Sequence, residues 1–166
     1  MSQSTFDASA LYIHDGDGYR PATSEELIRA AQRTLSYRFR RGSHMQSPEI
    51  VRGYLQVQLG QRDHEVFCML ALDARHRLIE YIELFRGTID GATVHSREVV
   101  KEALKLNAAA VIFAHNHPSG VADPSRADEL ITQRLKDALG MVDIRVLDHL
   151  IVGSDRVSSF AEKGLL

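Results

Sequence analysis

Hydrophobic residues recur along this chain with two periods, and the switches between them mark out its elements. Leu27, Ile28, Ala31, Leu35 and Phe39 repeat at helical spacing behind Thr23 and Glu26, a capping-box pair, which predicts a helix over about residues 22–41 that stops at Gly42. Ser47-Pro48 supplies a cap and a first-turn proline for a second amphipathic helix carrying Ile50, Val51, Tyr54, Leu55 and Leu59 and ending at Gly60. Residues 65–72 and 77–85 are strand-like and joined by Asp73-Ala74-Arg75-His76, the pattern of an antiparallel hairpin, with Gly87 breaking the second strand. Ser96 is placed to cap a helix over about 97–106, and residues 109–114 form a short apolar run suited to a strand buried on both faces.

Further on, Ser125 is placed to cap a helix over about 126–139 ended by Gly140, and residues 144–147 and 150–152 read as two closing strands. Residues 1–20 are polar and rich in turn formers such as Asp15-Gly16-Asp17-Gly18, which suits an extension or a hairpin arm. This alternation predicts an α/β or α+β fold, a sheet with helices on its faces. No internal repeat or low-complexity segment interrupts it.

Composition narrows the picture only in places. A chain of 166 residues, 44% hydrophobic and 25% charged, suits one globular core and argues against disorder. Twenty basic against twenty-two acidic residues give a net charge of -2, so the molecule lacks the overall positive field on which non-specific nucleic-acid binding relies. The densest basic group, Arg33, Arg38, Arg40 and Arg41, falls near the end of the first helix, where cations also complement the helix dipole. A solvated helix end is the favoured reading of it over a nucleic-acid contact. The single cysteine, Cys68, rules out an intrachain disulfide and a thiolate cage, and its apolar neighbours make it a buried, inert thiol. Residues 1–7 carry neither a basic nor an apolar targeting segment, and no stretch is long enough for a membrane span, so the expected location is the cytoplasm with no membrane partner.

The candidate chemistry follows the buried strand at once. His115 and His117, two residues apart in extended chain, can point the same way toward one ion, and Asp128, near the start of the helix capped by Ser125, can fold its carboxylate back over them. Two nitrogens and one oxygen leave a fourth tetrahedral position for water, the arrangement of a catalytic zinc, whose bound water has a pKa lowered to about 7. Such a centre needs a carboxylate outside the coordination sphere to take up the proton and pass it to a leaving amine. Glu65, opening the first strand, is the candidate.

Each piece also has a plainer reading. Two loop histidines can be polar surface, Ser125 and Asp128 make a helix start without any metal, and Glu65 can be a solvated strand-end carboxylate. His64-Glu65 does not continue into a His-Glu-x-x-His helix, because Cys68 stands where the second histidine belongs, and one cysteine cannot build the ligand set of a zinc deaminase. Adjacent strand residues point to opposite faces, so Asp148-His149 suits a structural hydrogen bond better than a joint catalytic role, although His149 is placed to line the site. His14, His44, His76 and His95 have no ligand spacing and read as surface or loop residues.

Taken together, His115-x-His117-x7-Ser125-x-x-Asp128 resembles the motif of the JAMM (MPN+) metalloproteases. The surrounding residues, Ala114-His-Asn-His-Pro-Ser-Gly120, Leu147-Asp-His149 and Leu84-Phe-Arg-Gly-Thr88, are similar to the RadC branch of that family, over about residues 45–166. The resemblance implies a mixed β-sheet flanked by helices in a cytidine-deaminase-like architecture, residues 46–166 forming the RadC-like domain and residues 1–45 an N-terminal extension and helix. It further implies Zn2+ held by His115, His117 and Asp128, Glu65 as acid and base, and Ser125 stabilising the oxyanion formed when water attacks a carbonyl. The implied activity is hydrolysis of a peptide or isopeptide bond in a protein or peptide substrate. The helix-hairpin-helix module that longer RadC proteins carry has no counterpart in residues 1–45, which lack its Gly-x-Gly hairpin, so a nucleic-acid role loses physical support; the alternative, a DNA-repair accessory or binding module with a structural metal, draws only on the basic cluster at Arg33 to Arg41. The oligomeric state is open.

Overall fold

The computed structural model describes residues 10–38, 41–45, 47–87 and 94–166, without the side chains of 35–38. Five strands form one mixed sheet in the order β4-β3-β5-β6-β7: β3 (Val66–Leu72), β4 (Leu78–Arg86), β5 (Ala110–Asn116), β6 (Arg145–Val152) and β7 (Val157–Ser159). Neighbours pair antiparallel except β5 and β6, which run parallel. A parallel pair needs a crossover, and α4 (Arg126–Gly140) supplies it. Near the start of the described residues lies a separate hairpin, β1 (Tyr12–Asp15) and β2 (Gly18–Pro21), the arm expected from its turn residues.

Helices cover both sheet faces, so every residue of β3 and β5 is buried and each reads as an unbroken apolar run. On one face α2 (Pro48–Leu59) lays Val51, Tyr54, Leu55 and Leu59 over Cys68, Leu70, Ile112 and Leu150. On the other, Val99 and Ala103 of α3 (Ser96–Lys105), with Leu135 and Leu139 of α4, cover Phe67, Met69, Val111 and Phe113. The alternation of strand side chains thus gives Glu65, Phe67 and Met69 one face, shared with Phe113, His115 and His117 of the neighbouring strand and its continuation. Burial pushes the Cys68 thiol up to about 12, in keeping with an inert core residue.

Helix α1 (Ser24–Arg38) starts at the expected capping box, in which the Thr23 amide donates to Glu26 at 2.8 Å and the Glu26 amide to the Thr23 hydroxyl at 3.3 Å. Phe39 and Arg40 lie outside the described residues. Three expectations are corrected. The cap of α3 is His95, one residue before Ser96, whose hydroxyl is buried without a partner. Strand β5 runs past residue 114 to include His115 and Asn116. The two closing strands are one, β6, because Asp148 and His149 each find hydrogen bonds that let a polar pair sit inside a buried strand.

Among the described residues no helix is long and apolar enough to cross a membrane.

Candidate metal centre

Strand β5 ends where its sheet partners end, and the chain turns there toward α4. The His117 amide donates to the Val152 carbonyl at 3.0 Å, the last rung beside β6, and the Gly120 amide then donates back to the His117 carbonyl at 2.9 Å. Gly120 takes a φ of +82°, which favours glycine, and Gly153 packs so closely that an added Cβ would stand 2.4 Å from the Gly120 carbonyl oxygen. This tight turn sends the chain across the sheet end to Ser125, the cap of α4.

The helix cap brings the carboxylate in. Asp128 accepts hydrogen bonds at Oδ2 from the Ser125 amide at 2.8 Å and the Ser125 hydroxyl at 2.6 Å, and its own amide donates to Ser125 Oγ at 3.2 Å. The helix-start reading of Ser-x-x-Asp holds, and the same capping box fixes the aspartate so that it faces the histidines. Asp128 Oδ1 lies 3.2 Å from His115 Nε2, Oδ2 lies 3.5 Å from His117 Nε2, and the two Nε2 atoms are 2.9 Å apart. His115 is buried, while His117 and Asp128 are partly open to solvent.

These separations suit a cation. A tetrahedral metal with bonds of about 2.0–2.1 Å holds its ligand atoms about 3.3 Å apart, in the middle of the range found here. The protonation pattern fits as well. His117 Nδ1 stands 2.7 Å from the Val121 carbonyl, which only accepts, so the proton of a neutral His117 sits on Nδ1 and the Nε2 lone pair faces His115 and Asp128. Lone pairs and a carboxylate crowded together are relieved by a positive charge, and His115, His117 and Asp128 can supply one ligand atom each. The same crowding shapes the titration of the residues. The hydrogen bond with Asp128 raises the pKa of His117. Burial pushes the Asp128 carboxyl upward, but the hydrogen bonds that His115 and His117 donate to it when their rings are charged outweigh it and hold the group well below the usual carboxylate range.

Glu65 stands just before β3, at the same end of the sheet and on the same face, and its charge adds to the rise at His117. It is not part of the three-residue cluster. What fixes its neighbourhood is a residue that the sequence reading passed over: Asn116, buried at the end of β5, accepts from the Val66 amide at 2.8 Å and donates to the His64 carbonyl at 3.0 Å. Phe67 stacks on His115 at a centroid distance of 6.1 Å. An asparagine between two candidate ligands is the only sequence signal for this tether.

Asp148 and His149 point to opposite faces, as expected. Asp148 accepts from the Ser159 hydroxyl at 2.6 Å and the Ala161 amide at 3.0 Å, tying β6 to the start of the C-terminal helix, α5 (Phe160–Lys163). His149 lies behind the cluster, with Nε2 2.8 Å from His115 Nδ1 and Nδ1 2.6 Å from the Thr132 hydroxyl. Thr132 was also missed, although one turn after Asp128 it shares that residue's helix face.

A family model described as RadC-like JAB domain matches residues 45–165. Relatives with the curated name UPF0758 protein include one from Leptothrix cholodnii, 56% identical over 152 residues, or 90% of this chain and 68% of that protein. Another, from Marinobacter nauticus, is 57% identical over 145 residues, or 87% of this chain and 65% of the relative. A third, from Nitrosococcus oceani, is 59% identical over 142 residues, or 86% and 63%. The chain thus spans about two thirds of the length of these relatives, whose names state no activity. With its mixed sheet, its flanking helices and this match over most of its length, the chain belongs to the RadC family of JAB domains.

Proposed function

We propose that this domain is a zinc-dependent hydrolase that cleaves an amide bond, in a peptide or isopeptide substrate, with His115, His117 and Asp128 as the ligands. The observation that carries the reading is the convergence of two imidazole nitrogens and a carboxylate at ligand spacing, partly open to solvent on the His117 and Asp128 side. A zinc ion in this cluster would supply Lewis acidity, polarising a carbonyl and making water acidic near neutral pH. Glu65 is the group that takes the proton from the attacking water and returns it to the leaving amine. Ser125 serves twice, holding Asp128 in place and, after its hydroxyl rotates away from Oδ2, donating to the oxyanion. Substrate selection falls to the solvent-facing loop of residues 117–125.

The test pairs metal analysis with a cleavage screen. Protein purified without chelators should carry close to one equivalent of zinc, His117→Ala should carry none, and Glu65→Gln should keep the metal and lose cleavage in a mass-spectrometric screen of peptides and isopeptides. Zinc retained by His117→Ala would overturn the ligand assignment.

A second reading, a nucleic-acid accessory in which the metal is structural, draws on a groove between α1 and α2 lined by Arg29, Gln32, Arg33, Gln58 and Arg62. Arg29 pairs with Glu25 and Arg62 with Glu83, which offsets much of its charge. Affinity for single- and double-stranded DNA across a salt series separates the readings, because a nucleic-acid binder shows a steep salt slope.

A further inference from the structure

Behind the cluster runs a chain of hydrogen bonds whose direction is fixed at one end. The Thr132 side-chain oxygen lies 2.6 Å from the Asp128 main-chain carbonyl, an oxygen that can only accept, so the hydroxyl proton is committed to it. A hydroxyl has a single proton. The contact of 2.6 Å between Thr132 Oγ1 and His149 Nδ1 therefore requires the proton on His149 Nδ1. His149 is fully buried against the rings of Phe67, Phe113 and Phe160, where an unpaired charge is costly, so the ring carries its one proton on Nδ1 and its Nε2 is an acceptor. The contact of 2.8 Å between that Nε2 and His115 Nδ1 then requires the proton on His115 Nδ1, which leaves the Nε2 lone pair of a neutral His115 directed at His117 and Asp128.

We propose that Thr132 and His149 are positioning residues that set the tautomer of His115 and thereby the affinity of the cluster for its metal. The proposal rests on the reading of His115, His117 and Asp128 as a metal site. Its anchor is Asp128 itself, whose main-chain carbonyl opens the chain of bonds and whose carboxylate faces the nitrogen at the far end. Helix α4 thus delivers a ligand and orients another residue's ring. The packing keeps the chain of bonds intact: His149 stacks on Phe160 at 4.8 Å and meets the edges of Phe67 and Phe113 at 5.4 and 6.2 Å, so no solvent replaces either partner and the ring has no room to flip. A partner on the remote nitrogen of a metal-bound imidazole makes a better ligand of it, and loss of such a partner weakens metal binding about ten- to a hundredfold.

The experiment uses the whole chain and two readouts. Zinc affinity is measured by competition with a chromophoric chelator for the unaltered protein, Thr132→Val, Thr132→Ser and His117→Ala. Long-range proton–nitrogen spectra of metal-free, histidine-labelled protein at alkaline pH, assigned through single histidine variants, report which nitrogen of each ring carries the proton. The unaltered protein and Thr132→Ser should show His149 and His115 protonated at Nδ1. Thr132→Val, nearly the same shape, should move the His149 proton to Nε2, shift the His115 proton in turn, and bind zinc about ten- to a hundredfold more weakly. Unchanged protonation sites in Thr132→Val overturn the relay. Shifted sites with zinc affinity within twofold of the unaltered protein overturn its link to the metal. Should the unaltered protein take up no zinc, the metal reading itself falls, and the spectra of metal-free protein still decide the relay.

Discussion

Asn116→Ala probes the tether between the ligand strand and the segment that carries Glu65. The asparagine is 2% exposed and joins two stretches of chain: its carbonyl oxygen takes the Val66 amide proton, and its amide group reaches the carbonyls of His64 at 3.0 Å and Arg62 at 3.4 Å. Truncation leaves the Val66 N–H buried without a partner, which costs about 1–3 kcal/mol. The lost bond to His64 adds about 1 kcal/mol, and the longer contact with Arg62 adds little. A total of about 2–4 kcal/mol is expected, which for a domain of this size lowers Tm by about 5–15 °C. Urea unfolding with an unchanged m-value measures it, and zinc content should stay near that of the unaltered protein, since no ligand is removed. A loss below about 0.5 kcal/mol would show that the turn before β3 holds itself in place, and would refute the view that Asn116 organises it.

Two further outcomes follow from the geometry of the site. The pKa of His117 is raised by its hydrogen bond with Asp128, so in chelator-treated protein the folded state holds this proton more tightly than the unfolded chain; the stability margin over His117→Gln should be full below about pH 6.5 and fade as pH rises through the folded value, as read from urea midpoints across pH. Gly153→Ala should cost about 2–3 kcal/mol by thermal or urea unfolding, because its Cβ would press on the Gly120 carbonyl oxygen and on Ala122, both at or below 3.0 Å, and backbone gives way less easily than a side-chain tip.

Where local chemistry decides an element, the sequence was a good guide. The Thr23–Glu26 and Ser125–Asp128 boxes mark two helix starts because each satisfies amides that the helix itself leaves unpaired, and Pro48 marks a third because it brings no amide that needs a partner, although the Ser47 side chain makes no capping bond. Where tertiary partners decide, it was not. Strand β6 looked interrupted at Asp148-His149, and only Ser159, Ala161 and Thr132, supplied by other elements, make that polar pair compatible with a buried strand. The cluster of His115, His117 and Asp128 was legible because its members lie in one short stretch of chain. Glu65 was named from its place at the start of a strand and from the resemblance, and the supporting residues Asn116 and Thr132 were silent because their partners, Val66 and His149, are far along the chain.

A metal held by His115, His117 and Asp128 would close only the short stretch of chain between them and would clamp no distant segments together. A link over so short a stretch restrains the unfolded chain by about 3 kcal/mol, less than a long-range link would, whereas the two apolar layers on either side of the sheet draw on residues from Met45 to Val152. Stripping the ion should therefore leave the body of the domain standing, with deuterium uptake quickening around residues 117–128 and changing little in the central strands. A protein built this way would fold first and take up its metal afterwards.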